Sequence, residues 1–235
     1  MRILIFSDIH SNKYAMKEVM KEKFDEAIFL GDIVDYGPNP SETLDMVRNI
    51  SKYMVMGNHD FAAAFNKDCL CSQENHELSV YTRENITLKE LSKEDISFLR
   101  KIPQNIDVKI EDIPVSLIHG SPSNNLYGYL YPWNISKENF KTPFGSYIED
   151  GLILVGHTHF QFLVPFGRMT LLNPGSAGQP RDNDPRPSYS ILDTDTGSID
   201  MKRFNYDREA LNKAISEKVS DAIQRNKLLS LFRAL

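Results

Sequence analysis

This sequence predicts an α/β fold with parallel strands, on three observations. Short apolar runs at residues 3–6, 27–30 and 53–56 alternate with amphipathic stretches, and such alternation implies βαβ units. Each run stops at a polar cluster, and open α/β sheets collect ligands beyond the carboxyl ends of their strands. A chain of 235 residues is long enough for one large core, so one domain spanning 1–235 is expected.

The first run ends in Ser7-Asp8-Ile9-His10. It meets Asp8 too soon to be a signal peptide and reads as the first strand. A helix is predicted over 12–24, with Ala15, Met16, Val19 and Met20 on one face. The second run ends in Gly31-Asp32-Ile33-Val34-Asp35. A turn through Tyr36-Gly37-Pro38-Asn39-Pro40 and a helix over 41–50 lead to the third run. That run reads as a short buried strand, with Gly57 opening a tight turn before Asn58-His59-Asp60.

Residues 61–101 are predicted to be a helical insertion beside the site, with no chemistry of its own. Within it, Ser92 to Asp95 resembles a capping box opening a helix that Pro103 ends. Residues 106–110 and 115–118 suggest a hairpin leading into His119-Gly120-Ser121-Pro122. A loop of alternating aromatics follows: Tyr127, Tyr129, Tyr131 and Trp133. The buried strand 152–155 ends in Gly156-His157-Thr158-His159. Short strands at 162–164, 169–172, 189–192 and 199–204 complete the sheet region, with the turn Asn173-Pro174-Gly175-Ser176 among them. Residues 206–235 read as one or two amphipathic helices.

Composition narrows the function classes. Charged residues at 25% and hydrophobic ones at 41% are an ordinary soluble mixture. Basic residues number 27 against 32 acidic ones, net −5, with no Lys/Arg-rich block, so stable nucleic-acid binding is not expected. The apolar runs are far too short to span a membrane. Cys69 and Cys71 are too close in sequence to staple the fold and sit away from the polar junctions. A reduced cytoplasmic protein fits that usage. Oligomeric state leaves no mark on the sequence.

Ligand-type residues recur at five junctions: Asp8/His10, Asp32/Asp35, Asn58/His59, His119 and His157/His159. The remaining histidine, His76, falls in the helical insertion and reads as a surface residue. One Asp-x-His alone is ordinarily structural. Five such junctions are hard to explain by burial, because uncompensated carboxylates and imidazoles cost several kcal/mol each in a dry core. Divalent transition metals at a solvent-open site remove that cost. Oxygen and imidazole donors without thiolate suit manganese foremost, and also iron, nickel, cobalt or zinc.

The order Asp-x-His, Gly-Asp-x-x-Asp, Gly-Asn-His-Asp, His, Gly-His-x-His, running from Asp8 to His159, resembles the calcineurin-like metallophosphoesterase superfamily. The resemblance implies a four-layer α/β/β/α sandwich, two mixed β-sheets packed face to face with helices outside. It implies two divalent ions, the first held by Asp8, His10, Asp32 and His159 and the second by Asp32, Asn58, His119 and His157. Asp32 would bridge them through its two oxygens. Two such ions clamp a phosphoryl group and acidify a bridging water that attacks phosphorus. His59 then remains free to protonate the leaving group or bind a phosphoryl oxygen, with Asp35 orienting and charging it. Asp60 reads as a cap on the next helix.

Within the superfamily, the run from Gly31 to Pro40, the His119-Gly120-Ser121-Pro122 segment and Asn173-Pro174-Gly175-Ser176 with Gln179-Pro180-Arg181 resemble a prokaryotic branch. That branch is grouped with diadenosine tetraphosphatases and phosphodiesterases. Protein Ser/Thr phosphatases continue Gly-Asp-x-x-Asp with Arg-Gly, whereas Tyr36-Gly37 stands here, without the arginine that would clamp a phosphoprotein. The expectation is therefore a dinuclear phosphoesterase for phosphodiester or nucleotide-type small molecules. A phosphoprotein phosphatase, a nuclease and a non-catalytic scaffold are the rivals; scaffold relatives lose site histidines, and here all are present. Arg181 and Arg186 are placed either to reach a distal phosphate or to pair with Asp182 or Asp184. The aromatic loop either stacks a nucleobase or packs on the sheet.

Overall fold

The computed structural model describes residues 1–141 and 148–232. Its strands run β1 (Arg2–Phe6), β2 (Glu26–Phe29), β3 (Ser51–Met54), β4 (Asn105–Ile110), β5 (Ile113–Ile118), β6 (Asp150–Leu154), β7 (Gln161–Phe166), β8 (Arg168–Pro174), β9 (Ser188–Asp193) and β10 (Ser198–Arg203). They form two five-stranded mixed sheets, ordered β10-β9-β1-β2-β3 and β4-β5-β6-β8-β7. In the first, β1, β2 and β3 are parallel, as the alternation predicts, and β9, antiparallel to β1, carries β10 antiparallel at the edge. In the second, β4 and β5 form the predicted hairpin and β5, β6 and β8 run parallel.

Successive side chains on a strand point to opposite faces, and this sorts the apolar runs into layers. Ile3, Ile5, Ile28 and Leu30 meet Val115, Leu117, Leu152 and Leu154 between the two sheets. Leu4, Phe6, Ala27 and Phe29 point the other way, onto Ala15, Met16 and Val19 of α1 (Lys13–Val19) and Leu44 and Val47 of α2 (Pro40–Ile50). On the far face of the second sheet, Ile153, Val155 and Leu171 pack under Leu130 of the aromatic loop and Phe140 of a 3₁₀ turn (Lys137–Phe140). Both faces of the central strands are thus covered, which is why they read as unbroken apolar runs.

Several boundaries shift. Helix α1 stops at Val19, short of Phe24, because the Lys21 and Glu22 N–H groups bond back only three residues, to Glu18 and Val19. The third strand lies two residues earlier than its apolar run. A register shift against Ala27 and Ile28 starts its pairing at Ser51, and Val55 and Met56 form the buried exit. The insertion begins as α3 (Asn58–Phe65), then resumes after a loop as α4 (Gln73–Thr82), a π-helical turn (Arg83–Thr87), α5 (Leu88–Glu90) and α6 (Lys93–Leu99). Ser92 and Asp95 do form a reciprocal capping box. The C-terminal segment is two helices, α7 (Arg208–Lys218) and α8 (Ala222–Leu231); residues 233–235 of the predicted segment lie outside the described residues. Among the described residues no helix is long and apolar enough to cross a membrane.

Candidate metal centre

The loops after β1, β2 and β6 carry unusual backbone. Asp8, His10, Ser11, Asp32, Asp35, Tyr36, His157 and His159 all have positive φ, between 45° and 65°. A non-glycine residue there costs about 1–2 kcal/mol, and such outliers concentrate at functional sites. The loops hold one another in place: the N–H groups of Asp8, His10 and Ser11 donate to the carbonyls of Gly31, Asp32 and Ile33. Asp60 supplies the second clamp. Its carboxylate accepts the N–H groups of Gly57, Asp32, Ile33 and Val34, so its structural role extends beyond the predicted cap. Gly57 is not a tight turn: it is extended, with φ −88° and ψ 170°. Glycine is required because a Cβ there would lie 2.0 Å from Asp32 Oδ1.

These loops, with Asn58 at the start of α3 and His119 just after β5, bring all seven predicted ligands together, fully or almost fully buried. Two clusters result, Asp8/His10/His159 and Asp32/His119/His157. His159 Nε2 lies 3.3 Å from Asp8 Oδ1 and 3.2 Å from His10 Nε2. Between the clusters, Asp32 Oδ2 sits 3.8 Å from His10 Nε2 and 3.4 Å from His119 Nε2. Asn58 Oδ1 joins the second cluster, 3.1 Å from His119 Nε2. Asp32 Oδ1 accepts the His59 main-chain N–H at 2.9 Å, while Oδ2 faces both clusters.

The donor set fits divalent cations on atomic grounds. His10, His119 and His159 each place Nδ1 against a main-chain carbonyl, of Val34, Leu30 and Gln179. A carbonyl only accepts, so each Nδ1 carries the hydrogen, and a neutral ring then presents its Nε2 lone pair inward. Burial disfavours charge on His119, but Asp32 outweighs it and raises His119 to about 9, so a cation there has to displace its Nε2 proton. The facing Nε2 atoms of His10 and His159 therefore offer two lone pairs to each other. Asp8 Oδ1, Asp32 Oδ2 and His157 Nε2 are buried with no hydrogen-bond partner among the described residues. Lone pairs without donors are costly in a dry interior, and a cation answers all of them. Burial holds His10 and His157 well below their usual range, in the neutral form that a metal requires.

His59 differs. Burial disfavours its charge, but Asp32 and then the hydrogen bond to Asp35 outweigh that and raise it to about 9. Its Nδ1 lies 3.0 Å from Asp35 Oδ2, and Asp35 is itself held in left-handed backbone. The insertion, expected to carry no chemistry, completes this unit: Thr87 Oγ1 donates to Asp35 Oδ1 at 2.9 Å, and Arg83 Nη1 lies 3.5 Å from Oδ2. Ser79 Oγ stands 3.2 Å from His59 Nδ1.

The cysteines also lie nearer than their sequence position suggests. Cys69 Sγ is 3.4 Å from Ser79 Oγ, and the Cys69 carbonyl accepts the Asn58 amide at 2.7 Å. The loop 66–72 folds back over the start of α3, which spacing alone does not reveal. His76 is on the surface, paired with Asp68.

At the rim, Arg186 pairs with Asp184, and Asp182 is taken by Arg203. Arg181 instead donates to Gln179 Oε1 at 2.8 Å, and its charge bears on His10 and His159. The aromatic loop packs on the sheet in part. Leu130 enters the core, while the half-exposed Tyr129 ring lies 4.2 Å from the His157 ring. Tyr131 and Trp133 stack 4.8 Å apart farther out, edge-on to Phe160.

The family model of the calcineurin-like phosphoesterase superfamily domain matches residues 1–197. The chain belongs to that superfamily and is a metal-dependent phosphoric ester hydrolase. It is similar to a metallophosphoesterase of Sphaerobacter thermophilus, whose crystal structure superposes with a TM-score of 0.78 at 29% identity, covering 99% of both chains. It is 30% identical to the uncharacterized protein MJ0912 of Methanocaldococcus jannaschii, over 93% of this chain and 94% of that one. The hypothetical protein PH1004 of Pyrococcus horikoshii shares the fold at 20% identity, with a TM-score of 0.78 over 99% of this chain and 98% of the other.

Proposed function

We propose that this protein is a dinuclear phosphodiesterase acting in the cytoplasm on small phosphodiester or nucleotide-type substrates. Asp8, His10, Asp32 and His159 would hold one divalent ion, and Asp32 Oδ2, Asn58, His119 and His157 the other, with manganese the foremost candidate. The observation that carries this reading is the pair of Nε2 atoms facing each other at 3.2 Å with both Nδ1 hydrogens committed elsewhere. When bound, such ions supply charge neutralisation for phosphoryl oxygens and a water of lowered pKa.

The chain's own groups carry the rest. His59 Nδ1 is committed to Asp35, which leaves Nε2 to deliver its proton to the leaving oxygen. Asp35 holds the ring in place and favours its charged form, and Thr87 and Arg83 hold Asp35. Asn58 presents its oxygen inward because its amide nitrogen is taken by the Cys69 carbonyl. Tyr36 supports small substrates over phosphoproteins: it is fully buried, its ring against His10 and His59, so no guanidinium reaches out from that position. Tyr129, beside His157, offers a face to an aromatic leaving group or base, and Arg181 a cation to a second phosphate.

Elemental analysis of manganese-reconstituted protein, with turnover on bis-aryl phosphate, aryl monophosphate, dinucleoside polyphosphate, cyclic nucleotide and phosphopeptide, tests the reading. Two ions per chain and diester turnover above phosphopeptide turnover are expected. A single ion per chain at saturation, or a phosphopeptide hydrolysed faster than every diester, overturns it.

A further inference from the structure

The mechanism uses neither thiol, yet both cysteines lie against its machinery. Cys69 is fully buried, Cys71 is half-buried, and their Sγ atoms are 2.7 Å apart. Between them Leu70 sits in the left-handed region with φ 47° and a 60% exposed side chain. A leucine gains nothing from that conformation, which is a cost for any β-carbon residue. What it achieves is to fold the backbone back, so that residues two apart present their sulfurs to one another. The pair is also wired inward at two points. The Cys69 carbonyl fixes the Asn58 amide, and Cys69 Sγ contacts Ser79 Oγ, which touches His59 Nδ1 and Asp35 Oδ2.

We propose that Cys69 and Cys71 are a dithiol–disulfide site that reacts with low-molecular-weight disulfides and, when oxidised, loosens the Asn58 side of the centre. Accessibility sets the order of events. The half-buried Cys71, once deprotonated to its thiolate, attacks one sulfur of the external disulfide. That S–S bond breaks, one thiolate leaves, and a mixed disulfide forms on Cys71. Cys69, already within contact, then attacks the Cys71 sulfur and expels the second thiolate. The two cysteines are oxidised, the external disulfide is reduced, and their two protons end on the two released thiols. Intracellular disulfides are characteristically transient and regulatory, which suits a bond closed across a single intervening residue. Closing it turns the backbone at residue 69 and so moves the carbonyl that holds Asn58. The effect on metal rests on Asn58 being a ligand; disulfide formation does not.

The test equilibrates the manganese-loaded protein with oxidised glutathione, manganese being a poor partner for thiolates. Intact mass and alkylation read the thiols, and elemental analysis after gel filtration reads the metal. Wild type should lose two hydrogens without retaining glutathione, reversibly with dithiothreitol, while Cys69→Ser should stop at one glutathione adduct on Cys71. Manganese affinity of the oxidised form should fall roughly tenfold, the low end of the cost of disturbing a group that orients a ligand. Both thiols remaining open to alkylation, or a stable glutathione adduct on wild type, overturns the site. A disulfide that leaves manganese affinity unchanged overturns the coupling. Reduced protein binding fewer than two ions would instead count against the dinuclear reading, leaving the disulfide result standing.

Discussion

Asp60 is a residue whose loss should be felt without touching metal or substrate. Its two oxygens accept four main-chain N–H groups, at 2.8 to 3.2 Å, and it is fully buried. Burial, and then the Asp32 carboxylate, push Asp60 up to about 7, so removing its charge near neutral pH costs little in itself. What Asp60→Asn removes is acceptors. One oxygen survives for two of the donors, and the other two meet an NH₂. At roughly 1–3 kcal/mol for each stranded buried donor, the loss is about 2–6 kcal/mol, and some local shift should bring it to about 3. A domain of this size moves about 2–4 °C per kcal/mol, so thermal unfolding should drop by about 6–12 °C. Three of the four donors belong to the loop that presents Asp32, so manganese content should fall too. A scanning fluorimetry midpoint within about 2 °C of wild type, with full metal content, would refute the clamp.

Other substitutions separate the remaining roles. Asp32→Asn should lose both metals and all activity by elemental analysis and turnover, whereas His59→Ala should keep its metals and lose about 10²–10⁴ in turnover, less on nitrophenolate esters. If His59→Ala loses metal as fully as Asp32→Asn, the division between ligand and acid is wrong. Asp35→Asn should show a smaller deficit in the same direction, read on the same pair of esters. Tyr129→Ala should raise KM roughly 10- to 100-fold for nucleotide-type diesters, the worth of one stacked ring, and leave KM for methyl phosphate esters unchanged. Glu22 opposes burial with bonds from Tyr189 and Lys202, which lower it from 4.5 to about 2. Its folded value is depressed, so its stabilisation is present above about pH 4.5 and fades as pH falls toward 2. Glu22→Gln should therefore unfold at lower denaturant than wild type at pH 7, with the gap closing in acid.

The clustering of the candidate ligands was legible because two independent patterns coincide at each: an apolar period that marks a strand and a donor-type residue soon after it. The same period explains the layers seen in the structure, as Ile3 and Ile5 against Leu4 and Phe6 illustrate. What stayed hidden has no side-chain signature. The carbonyls of Val34, Leu30 and Gln179 fix three imidazoles, and any residue type supplies a carbonyl. The fold-back of loop 66–72 depends on a left-handed leucine, which propensity argues against.

The insertion shows most clearly why spacing fails there. An ideal helix continued from α4 would carry Arg83 and Thr87 in register with its earlier turns. The structure instead bonds the Leu88 N–H to the Arg83 carbonyl, five residues back, which widens that turn by one residue. Thr82 Oγ1, just before it, accepts the Tyr36 N–H at 3.0 Å, fixing the entry to the widened turn against the loop that carries Asp35. Thr87 and Arg83, at the turn's two ends, then converge on one carboxylate that also holds His59. A π turn within a helix characteristically marks such a functional contact, and it costs hydrogen-bond geometry that the helix alone would not give up. The widened turn and the site therefore share one cause: the His59–Asp35 pair is steadied from the insertion, and the insertion is bent to reach it.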